Sequence, residues 1–575
     1  CPFVDPQLID EMLEDFISSN IDYMSNTDPP TFPDGFDIEI FKMSALLQSA
    51  EIATSPFERE HVTPCLRTNS LFSHKNKAAV VDASHLRLTV DEQRDLDVVR
   101  GIANLFAPRT DFSLSEILGV ITTNPHLITG NLDIERNEGA TMNTGQKLWK
   151  RAQHVIPGGN MLLSKRPDQF LPEHWPAYFS KAHGCMVWDL DDNALTDMSI
   201  MGIGTNSLGY GHPEVDAAVA QTVRDGNMST LNCPEEVYLA ERLVAMHPWA
   251  EMARFARTGG EANAIAIRIA RAATGKSKVA ICGYHGWHDW YLAANLGTEN
   301  TLAGHLLPGL EPNGVPENLR GSVLTFNYNR IDELEALIST NELGAIMMEV
   351  SRNFGPEDNF LQKVRDLATK HGIVLMFDEC TSGFRQTFGG LHKMYGVEPD
   401  MAMFGKALGN GYAITAVLGK RSVMEAAQNT FISSTFWTER IGPTAALATL
   451  DVMEQSKSWE IITQMGQYIT DQWNSIAKST GIAIKTSGLP ALTSFSVDSK
   501  YALEYKTLIT QEMLKKSYLA GTSIYVATVH TKELVDRFIN ELEPVFALIK
   551  ECEDGRDVRS LLDGPTCSSG FKRLN

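Results

Sequence analysis

An aspartate and a lysine 28 residues apart, Asp378 and Lys406, each follow a short apolar run that stops abruptly. The first run, Ile373-Val374-Leu375-Met376-Phe377, comes after Gly372 and closes on Asp378-Glu379. The second, Met401-Ala402-Met403-Phe404, closes on Gly405-Lys406, with Gly409-Asn410-Gly411 just beyond. Runs of this length and content predict strands buried on both faces of a parallel sheet. Ligands bind at the carboxyl ends of such strands, so the carboxylate and the amine are expected to face one cleft. An amine there can hold a carbonyl compound as a Schiff base and then move a proton, while a carboxylate can keep a heteroaromatic ring nitrogen protonated. Together they suit pyridoxal phosphate; either one alone is more often a solvated loop residue.

Such a cofactor needs a phosphate site and a stacking partner. Residues 252–257 predict a strand, Thr258-Gly259-Gly260-Glu261 a turn, and 262–273 a helix. A glycine pair at a helix start exposes backbone amides where the helix dipole draws anions, which makes Gly259 and Gly260 a candidate phosphate cup. A plain strand-to-helix turn is the alternative. Residues 278–291, KVAICGYHGWHDWY, predict a strand and an aromatic loop in which Tyr284 can stack on a flat ring. His285 and His288 have a spacing open to metal ligands, but no third Cys, His or carboxylate motif joins them, so no metal site is expected. A buried aromatic cluster is the plainer reading of this loop.

The elements that position these residues belong to a chain of 575 residues, enough for two or more domains. Residues 1–131 form one expected domain, 132–143 a polar linker, 144–550 a second domain and 551–575 a polar tail. In the first, helices are expected from Pro6, over 44–53 and over 91–106, with strands at 36–40 and 86–90. In the second, a helix over 144–155 ends at Pro157-Gly158-Gly159, a hairpin spans 186–198, and a helix begins near Pro213. The formal charge of −21 argues against nucleic-acid binding, which needs clustered Lys and Arg. Eight scattered cysteines without a CxxC pair predict reduced thiols and a cytoplasmic protein. No apolar run of membrane-spanning length is found. The chain opens on Cys1 rather than Met, as a piece of a longer reading frame would.

Across roughly 144–550, seven motifs occur in the order found in class III pyridoxal-phosphate aminotransferases: IPGG, GYGHPEV, TGGEANAIAIRIAR, YHGWHD, MMEV, FDECTSGFR and FGKALGNGY. The resemblance is closest to the glutamate-1-semialdehyde aminomutase branch. It implies an α/β, fold-type I enzyme: a mostly parallel seven-stranded sheet, a small α+β domain built from both ends of the segment, pyridoxal 5'-phosphate as cofactor, and a homodimer. By the same resemblance Lys406 would be the Schiff-base lysine and Asp378 the partner of the ring nitrogen. Gly259 and Gly260 would hold the phosphate, Tyr284 would stack on the ring, and Thr435 would reach the phosphate from the neighbouring subunit unless it is an ordinary loop hydroxyl. Glu349 would support the pocket or serve structure alone, and Arg385 would form a structural ion pair rather than a substrate clamp. Three departures stand out: Gly260 where the branch has Thr, Cys380 where it has Val, and NMLLSKRPDQF after the glycine pair where the mutases hold a substrate carboxylate.

Four earlier pieces, CPFVDP, FPDGFDIEIF, EREHVTPCL and RLTVDEQRDLDVV, resemble the carboxyl half of cytidylyltransferases acting on acidic sugars. That resemblance implies a partial doubly wound α/β domain without its nucleotide loop, hence without catalysis of its own. Asp91 would correspond to a magnesium-holding residue, or would simply cap the helix that follows. The expected activity is therefore transfer of an amine from a small amino donor to a carbonyl acceptor, for which the first-domain resemblance suggests a sugar-derived carbonyl. Glutamate-1-semialdehyde 2,1-aminomutase is the alternative, and a catalytically silent sugar-nucleotide binding protein the third reading.

Overall fold

The computed structural model describes residues 2–53, 62–91, 93–132, 134, 136, 143–297, 301–305, 309–351 and 353–569. The chain divides into two compact units, Cys1–Met142 and Asn143–Asn575.

The second unit is built on a seven-stranded sheet. Its strands are β1 (Met252–Ala256), β2 (Lys278–Cys282), β3 (Val323–Thr325), β4 (Leu343–Met348), β5 (Val374–Glu379), β6 (Met401–Phe404) and β7 (Thr415–Gly419). They lie in the order β1-β7-β6-β5-β4-β2-β3. All pairings are parallel except those of β7, which runs antiparallel to both β6 and β1. Every residue of β4, β5, β6 and β7 is buried, as unbroken apolar runs covered on both faces require. Side chains alternate between the two faces. Met401 and Met403 join the core under the helix Gly259–Thr274, whose Ala262, Ala266 and Ala270 allow close approach. Ala402 and Phe404 point the other way, onto Val215, Leu239 and Leu450. In the β5–β6 register Asp378 pairs with Met403 and Glu379 with Phe404, so Lys406 follows two residues past the end of the ladder.

Both ends of this unit build its smaller part. Strands Lys181–His183, Met186–Trp188 and Ala194–Met198 share a sheet with Tyr518–Ala520, while Ile484–Ser487, Leu492–Val497 and Ser523–Tyr525 form another. Helices Ser458–Thr480, Ala502–Leu514 and Lys532–Glu553 close a core around Trp473, Phe495, Phe538 and Phe546. Residues past 550, expected as a polar tail, pack onto this core through 569. Cys552, Val558 and Cys567 are buried, and the Cys567 amide donates to Thr507 Oγ1 at 2.9 Å. Their few apolar side chains are spaced too widely to show as a periodic pattern.

The first unit carries a three-stranded sheet with Tyr23–Ser25 in the middle, antiparallel to Glu39–Phe41 and parallel to His74–Asn76. This small mixed sheet differs from the doubly wound arrangement expected. Residues 86–90 are extended but make only one bridge, Arg87 to Asp34. The Arg87 side chain explains why the segment is fixed without a ladder. Its guanidinium donates to Asp34 at 2.8 Å, to Asp91 at 2.9 Å and to both oxygens of Asp95 at 3.0 and 2.9 Å. Asn131 Nδ2 adds a bond to Asp95 at 2.9 Å. Asp91 thus shares one arginine with Asp34 and Asp95, and no metal-holding group of acids or histidines occurs among the described residues. The stretch 58–61 of the EREHVTPCL motif lies outside the described residues. Arg87→Met strands the fully buried Asp95 carboxylate, and should destabilise this unit by about 3–5 kcal/mol. Chemical denaturation of the whole chain would show it as an earlier first transition; an unmoved transition would mean the cluster contributes nothing.

Candidate active site

Asp378 is the penultimate residue of β5, 5% exposed. Asn263 Nδ2 donates to its Oδ2 at 2.8 Å, His285 Nδ1 donates to the same oxygen at 2.9 Å, and the Cys380 amide donates to Oδ1 at 3.1 Å. Burial pushes this carboxyl upward, but His285, the Cys380 amide and Asn263 outweigh it and hold the group below the usual carboxylate range. The result is a buried anion at neutral pH. Asn263 reaches it from the first turn of the Gly259–Thr274 helix, and also donates to the His285 carbonyl at 3.1 Å. The other ring nitrogen of His285 faces the Cys282 carbonyl at 3.2 Å. Both ring nitrogens of His285 are thus engaged, one of them orienting the aspartate.

Lys406 opens a short turn, Lys406–Gly409, with φ of 45°, a left-handed conformation that L residues seldom hold. Its Nζ donates to Thr381 Oγ1 at 2.8 Å. Gly405 before it must be glycine: a Cβ there would come within 2.9 Å of Thr415 Cγ2 on β7 and 3.6 Å of Cys380 Sγ. Beyond the turn, Asn410 Oδ1 accepts from the Leu208 amide at 2.9 Å and Asn410 Nδ2 donates to the Gly209 carbonyl at 3.1 Å, so this glycine-rich stretch is anchored to its neighbouring loop.

The Gly259–Thr274 helix starts on Thr258, whose Oγ1 accepts from the Glu261 amide at 3.4 Å. Glu261 Oε2 in return accepts from the Thr258 amide at 2.9 Å. This capping box leaves the amides of Gly259 and Gly260 without intrahelical acceptors. Cys380 Sγ lies 3.5 Å from where a Gly259 Cβ would be, so the cup, the cysteine and the lysine turn border one space. Burial and the Asp378 charge push the Cys380 thiol well above its ordinary range, and it stays an uncharged packing group.

Tyr284 stands on the loop after β2. Its amide donates to Glu349 Oε2 at 3.2 Å, and its ring meets Tyr291 edge-on at 6.1 Å. Glu349, buried at the end of β4, thus fixes the backbone that presents the tyrosine. Thr435 lies exposed on the turn Thr435–Thr438; the bond from this turn to the cup's helix comes instead from Trp437 Nε1, which donates to Glu261 Oε1 at 3.3 Å.

The expected ion pair of Arg385 is not found. Its side chain is 1% exposed, its Nε donates to the Thr381 carbonyl at 3.2 Å, and another guanidinium nitrogen donates to the Gly204 carbonyl. No carboxylate pairs with it among the described residues, and burial pulls its pKa down to about 10. Backbone carbonyls replace the acid because the guanidinium is threaded between the Gly204 turn and residues 381–385, where no acidic side chain reaches.

Asn263, His285 and Thr381 were not legible as functional residues. The signal for Asn263 was a polar side chain amid alanine and isoleucine, four residues into a helix whose start faces the cleft. His285→Ala removes a charge-reinforced bond worth about 1.5–3 kcal/mol, and should lower turnover about ten- to a hundredfold. It also lets the Asp378 pKa rise, so the acid limb of the pH–rate profile should move to higher pH. An unmoved limb would show that His285 does not act through Asp378.

An anionic carboxylate, an amine, an exposed pair of helix amides and an edge-fixed tyrosine are the donor and acceptor set that pyridoxal phosphate requires, and the glycine at 259 leaves free the volume a side chain would fill. Comparisons with known proteins agree. The model of the family described as aminotransferase class-III matches residues 172–544. A 3-aminobutyryl-CoA aminotransferase from Cloacimonas acidaminovorans is 31% identical over 422 residues, covering 70% of this chain and 97% of that protein. A glutamate-1-semialdehyde 2,1-aminomutase from Methanothrix thermoacetophila is 33% identical over 418 residues, covering 69% and 95%. Among solved structures, the FumI protein of Sphingopyxis sp. MTA144 in its pyridoxal-phosphate form superposes with a TM-score of 0.65 at 24% identity, covering 73% of this chain and all of the other; at that identity it speaks for the fold. The chain therefore belongs to the class-III aminotransferases, and is a pyridoxal-phosphate-dependent transaminase or aminomutase.

Proposed function

We propose that the chain transfers an amine between two separate small molecules, a donor and a carbonyl acceptor, and does not isomerise a single one. The observation that carries this reading is the segment after Gly159. Where the mutase branch is expected to hold a substrate carboxylate, this chain has Arg166, which is buried and bound to Asp168 at 2.9 Å, two residues away. An arginine neutralised by its own neighbour has less charge to offer a substrate carboxylate. Incubation with glutamate-1-semialdehyde and no donor tests the reading: no 5-aminolevulinate should form, and its formation at rates matching donor-dependent turnover would overturn it.

Pyridoxal phosphate, when bound, supplies an aldehyde and an electron-withdrawing ring. The chain's own residues do the rest. The Asp378 anion would hold a proton at the ring nitrogen, with His285 and Asn263 fixing its Oδ2 and the Cys380 amide its Oδ1. Lys406 would hold the cofactor until the donor's amine displaces it, and its freed Nζ, steered by Thr381 Oγ1, would then take and return a proton at the substrate carbon. The amides of Gly259 and Gly260 would hold the phosphate, and Tyr284 would cover the ring.

The enzyme acts as a homodimer in which Thr435 serves the neighbouring subunit's phosphate. Exposed Thr435 supports this, as do Phe431, Phe436 and Leu231, which present large apolar surfaces to solvent in a single chain. The acceptor is a sugar-derived carbonyl, a reading supported by the likeness of the first 131 residues to cytidylyltransferases of acidic sugars. Seven described cysteines, all free thiols, support a cytoplasmic setting.

A further inference from the structure

Gly260 is the position where the resembling branch carries a threonine, and the structure shows what stands in its place. A Cβ built on Gly260 would lie 2.9 Å from both Nδ1 and Cε1 of His288. The imidazole therefore occupies the volume that a side chain at 260 would take. The loop is seated tightly, since a Cβ on Gly286 would come within 2.9 Å of the Gly260 Cα. Trp287 stacks on the His288 ring at 4.6 Å and fixes its plane, and the His288 carbonyl accepts from the Tyr291 amide at 2.9 Å. With the ring so held, His288 Nδ1 is buried and has no hydrogen-bond partner among the described residues. A buried ring nitrogen left unpaired is costly, and here it sits beside a helix N-terminus, where an anion is favoured.

We propose that His288 supplies the side-chain hydrogen bond to the cofactor phosphate that Gly260 lacks. The two positions act as a compensating pair, the hydroxyl traded for an imidazole delivered from the neighbouring loop. The inference rests on the phosphate cup proposed above and adds to it a residue outside the cup's own helix. Burial favours the neutral ring before the anion arrives, against the pull of Glu261 and Asp289. The phosphate charge then favours the Nδ1–H donor form.

The test uses apoprotein of the full chain, titrated with pyridoxal phosphate and separately with pyridoxal, which lacks the phosphate. Binding is followed by the visible absorbance of the lysine-bound cofactor. His288→Ala should weaken pyridoxal phosphate about ten- to a hundredfold, the loss expected for a bond to a charged group, and should change pyridoxal affinity less than about twofold. His288→Phe keeps the ring stacked on Trp287 without a donor, and should show the same loss even if the alanine variant folds poorly. Gly260→Thr alone should also weaken pyridoxal phosphate, because its Cβ meets the imidazole. Gly260→Thr combined with His288→Ala should restore affinity to within about threefold of the parent. Equal losses for both ligands, or a phenylalanine variant that binds as tightly as the parent, would overturn the inference and leave His288 a space-filling residue. A parent chain that shows no lysine-bound absorbance at all would instead bring down the site reading beneath it.

Discussion

Lys406→Ala is expected to lower turnover by at least about a thousandfold and to leave the protein without the absorbance of a lysine-bound cofactor. The size follows from two roles lost together. The amine that carries the cofactor is gone, and so is the group that moves the proton at the substrate carbon. Added amines should recover part of the proton transfer but not the anchoring. The fold should survive, because alanine keeps the same Cβ at the same φ of 45° while the bond from Nζ to Thr381 Oγ1 is lost. A thermal melt shifted by more than a few degrees would mean that Lys406 also holds the site together. Turnover within about tenfold of the parent would place the chemistry on another amine.

Asp378→Asn is the second large loss, expected at about a hundred- to a thousandfold in turnover, the scale for removing a preorganised charge from a buried site. The carboxamide keeps the shape but cannot hold a proton on the ring nitrogen by charge. It also turns an acceptor into a partial donor facing Asn263 Nδ2 and His285 Nδ1, which now lie 2.8 and 2.9 Å from an anion. The pH dependence has a definite sign. The folded Asp378 pKa is depressed below the ordinary carboxylate range, so its contribution to stability is present above the unfolded carboxylate pKa and is lost as pH falls through the folded value. The parent should therefore lose stability and activity together on that acid side, and the asparagine variant should lack this limb. Retention of the same acid limb in Asp378→Asn would assign it to another group.

The sheet was legible because its strands are bare apolar runs with charged or glycine-lysine ends, as at 373–377 and 401–404. The turn and helix start at Gly259 were legible from a glycine pair after a strand. What escaped notice was every contact made across the fold. Asn263 lies 115 residues before Asp378 and His285 lies 93 before it, and nothing local marks either as its partner. Arg385 misled for a related reason. A buried cation is expected to find a carboxylate, yet the carbonyl of Gly204, 181 residues earlier, met its need. In the first unit the alternation at 86–90 predicts a strand, but Arg87 spends its side chain on three acids and its backbone on one bridge. Periodicity reports which face is buried; it does not report which long-range partner holds it.

The most direct test of the account is chemical trapping. Borohydride reduction of the cofactor-loaded protein, followed by proteolysis and mass spectrometry, should place a reduced pyridoxal-phosphate adduct on the peptide containing Lys406 and on no other lysine. An adduct on a different lysine, or none on a protein that still transfers amines, would contradict the assignment of Lys406 and with it the pairing to Asp378.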